Sequence, residues 1–472
     1  MKEQRRCQRR GVDFAGVVPG PLCEALHRWS KLGPVFASLT HYFRRRASAA
    51  CLAVALLAAG CFSSGDRPDR VPPPPPEPVL VDLTQHEQRM DGFGASSAWT
   101  ANNISDAEAD LLFSPTAANG IALSLLRVQI KPEGITQEMG TARKAIARGA
   151  AVWAAPWSPP GEWKTTGTTI KGGYLKPEYR QDWADRLAAF AQTMSTEAVP
   201  LVALSVQNEP GFVESWDTCE WDPAALVEFV RDYLGPALDA RGLSTPIMAP
   251  ETQNWGLFDS YASAFANDAG AMEYLGFFAA HNYGGSPHTV DAVQATGKPV
   301  WQTEVSDSTP LDVGMDSALK YGEMIHHNLV DGRVSAWHYW WLRPTADQST
   351  NSALLNAGQL TRRAYVLGNW SRFVRPGALR VAALAAPQAY LDVTAFLDPT
   401  SRQLAVVAVN TAGYELEQSF TITGGTVGEV TPWLTSASAA LQSQPAVPVV
   451  DGGFSVALPA RSVTTFVGTA AL

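Results

Sequence analysis

Between residues 90 and 342, short apolar runs alternate with longer amphipathic, alanine-rich stretches, and the alternation occurs eight times. The runs are "MDGFGAS" from 90, "IALSLLRVQI" from 121, "AAVWAAPW" from 150, "PLVALSVQNEP" from 200, "PIMAPET" from 246, "YLGFFAAHNY" from 274, "KPVWQTEVS" from 298 and "VSAWHYWWL" from 334. Apolar runs of this length separated by helical patterns predict repeated βα units. In "PEYRQDWADRLAAFAQTMSTEA", from 177, Pro177 suits a first helical turn. Trp183, Leu187, Phe190 and Met194 then recur at spacings of three and four, which predicts a helix with one apolar face. Eight such units over about 250 residues predict an α/β fold, a (β/α)8 TIM barrel.

After Arg375 and Pro376 the hydrophobic period changes to two, in "RQLAVVAVNTAGY", "ELEQSFTITGG" and "RSVTTFVG", with Gly and Pro turns between. This predicts an all-β sandwich over 376–472. The run "PVLVDLTQHEQRM" ahead of the barrel is also strand-like, and its 79–89 portion is expected to pair with the sandwich. The expected organisation is an N-terminal extension and signal over 1–61, a proline-rich linker over 62–78, a catalytic barrel over 79–375 and the sandwich.

"RRRASAACLAVALLAAGC", residues 44–61, has a basic start, an apolar stretch and small residues before Cys61. That is the layout of a cleaved secretory signal, and it is too short for a bilayer span. It resembles a bacterial lipoprotein signal with Cys61 as the lipidated residue, which implies a secreted or envelope-anchored protein; Ala58 stands where that motif usually has Leu. Residues 1–43 precede a normal signal start, so translation is expected to begin downstream of Met1. The five prolines from Pro72 suit a stiff spacer. Of the five cysteines, Cys7, Cys23 and Cys51 fall in or before the signal and only Cys219 lies beyond Cys61, so neither a disulfide framework nor a CxxC metal site is expected.

Hydrophobic residues make up 46% and charged residues 17% of the 472, the composition of a globular chain. Residues 1–60 hold ten of the 36 basic but three of the 45 acidic residues, so the remainder carries 26 basic against 42 acidic groups. Such a surface argues against nucleic-acid binding. The fifteen tryptophans fit buried packing, and a surplus of them also fits platforms for sugar rings.

In a TIM barrel the active site gathers at the C-terminal mouths of the strands, so polar residues ending apolar runs carry most weight. Glu209 ends the fourth run and Glu304 the seventh. Two facing carboxylates are what retaining glycoside hydrolysis needs, one as nucleophile and one as acid/base. Either Glu alone would read as a solvated or salt-bridged side chain.

The motifs "GFGASSAW", "LSLLRV", "APWSPP", "LSVQNEPGF", "APE", "HNYG", "WQTEVS", "WHYWWL" and "WSRFVRPG" occur in one order. Together they resemble glycoside hydrolase family 30, over about residues 79 to 472. The resemblance implies a TIM barrel with a side β-sandwich, Glu209 as general acid/base and Glu304 as nucleophile. It implies Asn208 as the group on the substrate's 2-hydroxyl and Arg127 as the cation beside the nucleophile. Trp99, Trp157, Tyr283, Trp340 and Trp341, at or near run ends, are candidate walls for sugar rings, with core packing as the alternative. His281 and His338 also end runs and are expected to hydrogen-bond rather than to ligate metal. His326 and His327 read as a surface or packing pair.

The closest likeness is to the bacterial xylanase branch, whose best-known members grip a glucuronate side group with an arginine in the loop after the nucleophile strand and nearby tyrosines. Here that loop, "SDSTPLDVG" from 306, has no Arg or Lys, and the next, "RPTADQSTNSAL", offers Arg343 but no tyrosine. Strong glucuronate dependence is therefore not expected. The expected activity is a retaining endo-β-glycanase acting on xylan-type hemicellulose, monomeric, without cofactor or metal. The alternatives are a β-1,6-galactanase or β-1,6-glucanase and, in another class, a non-catalytic polysaccharide-binding surface protein.

Overall fold

A computed structural model describes residues 76–344 and 349–472. The signal-like segment with Cys61, and the linker up to residue 75, lie outside these residues. Among the described residues, no helix is long and apolar enough to cross a membrane.

The first strand, β1 (Val79–Arg89), precedes a closed barrel of eight: β2 (Gly92–Ser96), β3 (Leu125–Ile130), β4 (Ala151–Pro156), β5 (Leu201–Ser205), β6 (Ile247–Thr252), β7 (Leu275–Ala280), β8 (Val300–Gln302) and β9 (Ala336–Trp341). Each falls within one of the eight apolar runs. Closure comes from parallel pairing of β2 with β9, Gly92 opposite Ala336 and Phe93 opposite Trp337. Covered on both faces, β3 and β6 are buried at every residue, so they show no alternation of buried and exposed positions, and their polar residues Arg127, Gln129, Glu251 and Thr252 are buried with the apolar ones.

Inside the barrel, Leu125, Trp153, Ala203, Met248, Trp301 and Ala336 pack together. Gly94 lets β2 approach this filling: a Cβ there would lie 2.5 Å from the His338 ring and 2.7 Å from the Leu125 carbonyl. Outside, the helix Arg180–Thr196 follows a 3-10 turn opened by Pro177, and it buries Trp183, Leu187, Phe190 and Met194.

In the C-terminal domain, β1 pairs antiparallel with Leu379–Ala383 and parallel with Leu416–Thr423, so the strand ahead of the barrel belongs to the sandwich sheet. Period-two alternation divides its residues between two cores. Leu391, Val393, Ala395, Leu404, Val406 and Ala408 point into the sandwich with Phe420, Phe454 and Phe466. The opposite parity, Phe396, Ala405, Val407 and Val409, joins the barrel's core, where the helix Met315–Val330 packs against these strands. A second helix, Arg362–Ser371, brings the buried Asn369, which donates to the Trp433 carbonyl (3.0 Å) and to Thr465 Oγ1 (2.9 Å) and accepts from Thr435 Oγ1 (2.6 Å).

Candidate active site

The chain leaving β5 is held from both sides. Val206 N–H donates to the Met248 carbonyl (3.1 Å), Asn208 N–H to Pro156 (2.8 Å) and Glu209 N–H to Glu251 (3.0 Å). Glu209 itself sits at φ 51°, a left-handed conformation unfavourable for a residue with a Cβ. Pro210 and Gly211 follow, the latter also at positive φ, so the carboxylate stands on a sharp turn at the barrel mouth. Glu304, just past β8, is fixed similarly: its carbonyl accepts from Asn282 N–H (3.0 Å), and the next carbonyl, of Val305, accepts from Trp340 N–H (2.9 Å).

These backbones bring the two side chains to one place. One oxygen of Glu209, one of Glu304 and a ring nitrogen of His281 all lie within 4.8 Å of one another. Arg127, from β3, contacts Oε2 of Glu304 through Nη1, and through Nη2 it reaches Asn208 Oδ1 and Glu251 Oε1, both at 2.5 Å. Tyr283 donates to the other oxygen of Glu304, Oε1, at 2.8 Å. His281 Nδ1 lies 3.0 Å from Glu209 Oε1 and its Nε2 lies 3.4 Å from Glu251 Oε1. The pair is therefore unequal. Both oxygens of Glu304 accept from protein donors, whereas Oε2 of Glu209 has no protein hydrogen bond among the described residues.

Burial pushes the Glu304 carboxyl upward, against the opposing pull of His281 and Arg127. For Glu251 burial acts in the same sense, but Arg127, His281 and Ser205 outweigh it and hold the group below its ordinary value. Burial drives the His281 imidazole down; the carboxylates of Glu304, Glu209 and Glu251 overcome this and raise it to about 9. His338 is different: its Nδ1 faces the Gln302 carbonyl (2.9 Å), Trp153 Nε1 donates to its Nε2 (3.1 Å), and burial lowers it to about 3. It is a neutral filler of the barrel interior. Glu209, His281 and Glu304 are close enough to surround a cation, but Arg127 already places a positive charge on Glu304, an arrangement that suits proton traffic better than metal binding.

A cavity of about 1250 Å³ opens over the carboxylates. Trp99, Trp157, Trp340 and Trp341 share its wall: Trp99 and Trp157 meet edge-on at 4.8 Å, and Trp340 and Trp341 stack at 5.0 Å. Tyr283 lines it too. Arg127, Asn208 and His281 are buried next to the carboxylates and are not among the residues lining this cavity, with the Arg127 guanidinium 4.5 Å from the Trp157 ring. Of the two adjacent histidines, His326 is buried and His327 exposed, the latter bonded to Asp331 at 2.9 Å. Cys219 is a buried thiol raised to about 12 by desolvation.

Two groups were not anticipated. Phe212 and Trp216, on the loop after Glu209, line the same cavity. Glu251 lies wholly buried among the charged side chains, and the available signal was that it ends the fifth run as Glu209 and Glu304 end theirs.

Comparison with known proteins follows the same division of the chain. Residues 97–318 match the glycosyl hydrolase family 30 TIM-barrel domain and residues 377–466 the family's β-sandwich domain. A glucuronoxylanase of Bacillus subtilis is 30% identical over 403 residues, 82% of this chain and 90% of that protein. A family 30 subfamily 8 xylanase from Clostridium acetobutylicum, also 30% identical, superposes with a TM-score of 0.75 over 83% of this chain and 99% of its own. An endoxylanase from Clostridium papyrosolvens gives 30% identity and 0.73 over 83% and 100%. An endo-β-1,6-glucanase with 21% identity and a TM-score of 0.66, covering 83% and 94%, shares the fold. With both domain models matched in order and relatives of near-equal length at 30% identity, the chain belongs to glycoside hydrolase family 30, in its xylanase branch.

Proposed function

We propose that this glycoside hydrolase is a retaining endo-β-glycanase cutting the unsubstituted backbone of xylan-type hemicellulose. The observation that carries the reading is the approach of Glu209 and Glu304 to within 4.8 Å at nearest atoms. Retaining enzymes hold their carboxyl groups about 5 to 5.5 Å apart, too close for a water between nucleophile and base. Glu304, with donors on both oxygens, is suited to attack as a carboxylate. Glu209, with one oxygen free over the cavity, is suited to protonate the leaving oxygen and then to activate water. Asn208 spends its Oδ1 on Arg127 and leaves Nδ2 without a protein partner, a spare donor for a 2-hydroxyl.

Preference for a neutral backbone follows from the charges lining the cavity. Glu209, Glu304 and Asp307 are acidic, and Arg343 lies 3.6 Å from Glu108 and donates to the Thr100 carbonyl (3.3 Å). A glucuronate would meet repulsion and a cation already engaged. The test is incubation with linear xylan, glucuronoxylan, β-1,6-galactan and β-1,6-glucan, following new reducing ends, product size and the anomer first released. β-Anomeric xylo-oligosaccharides of mixed length from linear xylan are expected. Release from a β-1,6-glycan alone, an inverted anomer, or binding without cleavage would each overturn the reading. The 44–61 segment supports placement in the cell envelope; loss of lipid labelling in Cys61→Ser would support that placement, and unchanged labelling would refute it.

A further inference from the structure

We infer that Glu251 is a positioning residue of this site: its buried carboxylate, shared between Arg127 and His281, fixes the groups that in turn hold Glu304 and Glu209. This rests on the catalytic reading above and extends it to a third carboxylate.

Glu251 is fully buried and does not line the cavity, so it acts through other groups rather than on the sugar. Its contacts cover both halves of the machinery. Oε1 takes Arg127 Nη2 at 2.5 Å and lies 3.4 Å from His281 Nε2, while Oε2 takes the Ser205 hydroxyl. Glu251 is itself at φ 58°, and its main-chain carbonyl accepts the Glu209 N–H at 3.0 Å. An ionised carboxylate accepts hydrogen bonds and donates none. With Glu251 at Nε2 and Glu209 at Nδ1, His281 satisfies both only as the doubly protonated cation, in agreement with its raised affinity for protons.

The charge count gives a consequence. The titratable and charged groups acting on Glu251 are Arg127 and His281, with the neutral His338 nearby; Glu209, Glu304 and Tyr283 lie one contact further out, Glu209 on His281, Glu304 on Arg127 and Tyr283 on Glu304. When Glu209 holds the catalytic proton, Arg127 and His281 balance Glu251 and Glu304. Removing the charge of Glu251 leaves one positive charge in excess. An added positive potential lowers the proton affinity of carboxyl and imidazolium groups alike. Both limbs of the pH profile should therefore move toward lower pH.

The experiment compares pH profiles of kcat/KM for wild type, Glu251→Gln and Glu251→Asp on linear xylan. Glu251→Gln keeps shape and removes charge, and both limbs are expected to move down by about one pH unit. Glu251→Asp keeps the charge; its activity should fall while its limbs stay within a few tenths of wild type. Unmoved limbs in Glu251→Gln, with only a loss of rate or of Tm, would reduce Glu251 to a structural residue. Should Glu251→Gln fail to fold, imidazole ¹⁵N shifts of His281 in the wild-type protein decide: a doubly protonated ring at pH 7 is required, and a neutral ring overturns the inference. Failure of the catalytic reading would show separately, as undiminished turnover in Glu209→Gln or Glu304→Gln.

Discussion

Tyr283 donates its phenolic hydrogen to Oε1 of Glu304 at 2.8 Å, on the opposite oxygen from the one Arg127 holds. A hydrogen bond to a carboxylate stabilises the charged form, so it lowers the proton affinity that burial raises. Tyr283→Phe removes that donor and leaves the ring. Glu304 then holds its proton to higher pH, and the acid limb of kcat/KM moves upward, opposite in sign to the shift expected for Glu251→Gln. A charged hydrogen bond is worth about 1.5 to 3 kcal/mol, so kcat/KM should fall about 10- to 100-fold. A pH-rate series on one soluble substrate checks both.

Glu209 and Glu304 should fail in different ways. On the roles proposed above, Glu304→Gln removes the attacking group, and turnover should drop to background on every substrate. Glu209→Gln removes proton donation, worth about 10²- to 10⁴-fold, but spares attack when the leaving group needs no proton. With an aryl glycoside, Glu209→Gln should accumulate glycosyl-enzyme, and azide should restore turnover and yield the β-glycosyl azide. The α-azide would mean that Glu209 is the nucleophile.

The tryptophans divide by burial. Trp99 is 38% exposed at the cavity, so Trp99→Ala should raise KM about tenfold, from the loss of about 1 to 1.5 kcal/mol of ring contact, with little change in Tm. Trp157 is 2% exposed and covers the Arg127 guanidinium, so Trp157→Ala should destabilise the fold by about 3 to 5 kcal/mol and lower kcat as well. Denaturant midpoints beside kinetics on short oligosaccharides separate the two.

The barrel was legible in the sequence because strands buried on both faces cannot hide their apolar runs, and the carboxylates because each ends such a run. What each side chain touches was less legible. Arg127 stands on β3, yet its partners come from β6, from the turn after β5 and from the end of β8, contacts set by closure of the barrel rather than by spacing along the chain. Depth along a strand was missed for the same reason: His338 looks like a mouth residue but packs among Trp153 and Trp301, while Trp340, on the same face two residues nearer the mouth, and Trp341 reach the cavity. Glu251 was visible as a glutamate at a run end, but its dependence on Arg127, Ser205 and His281 arises from three other strands or strand ends.

Asn369 tests how far the barrel depends on the sandwich. Its amide joins the barrel-side helix Arg362–Ser371 to two sandwich strands, giving hydrogens to Trp433 O and Thr465 Oγ1 and taking one from Thr435 Oγ1. Asn369→Ala strands these buried groups, at a cost of about 2 to 3 kcal/mol, without touching the catalytic mouth. Because that helix also buries Trp370 and Leu367 in the barrel's core, the two domains should still unfold together. A single lowered transition by calorimetry, with kcat/KM at low temperature within twofold of wild type, is the expected outcome. Two separate transitions would show instead that the sandwich folds independently and that the shared core couples it only weakly to the barrel.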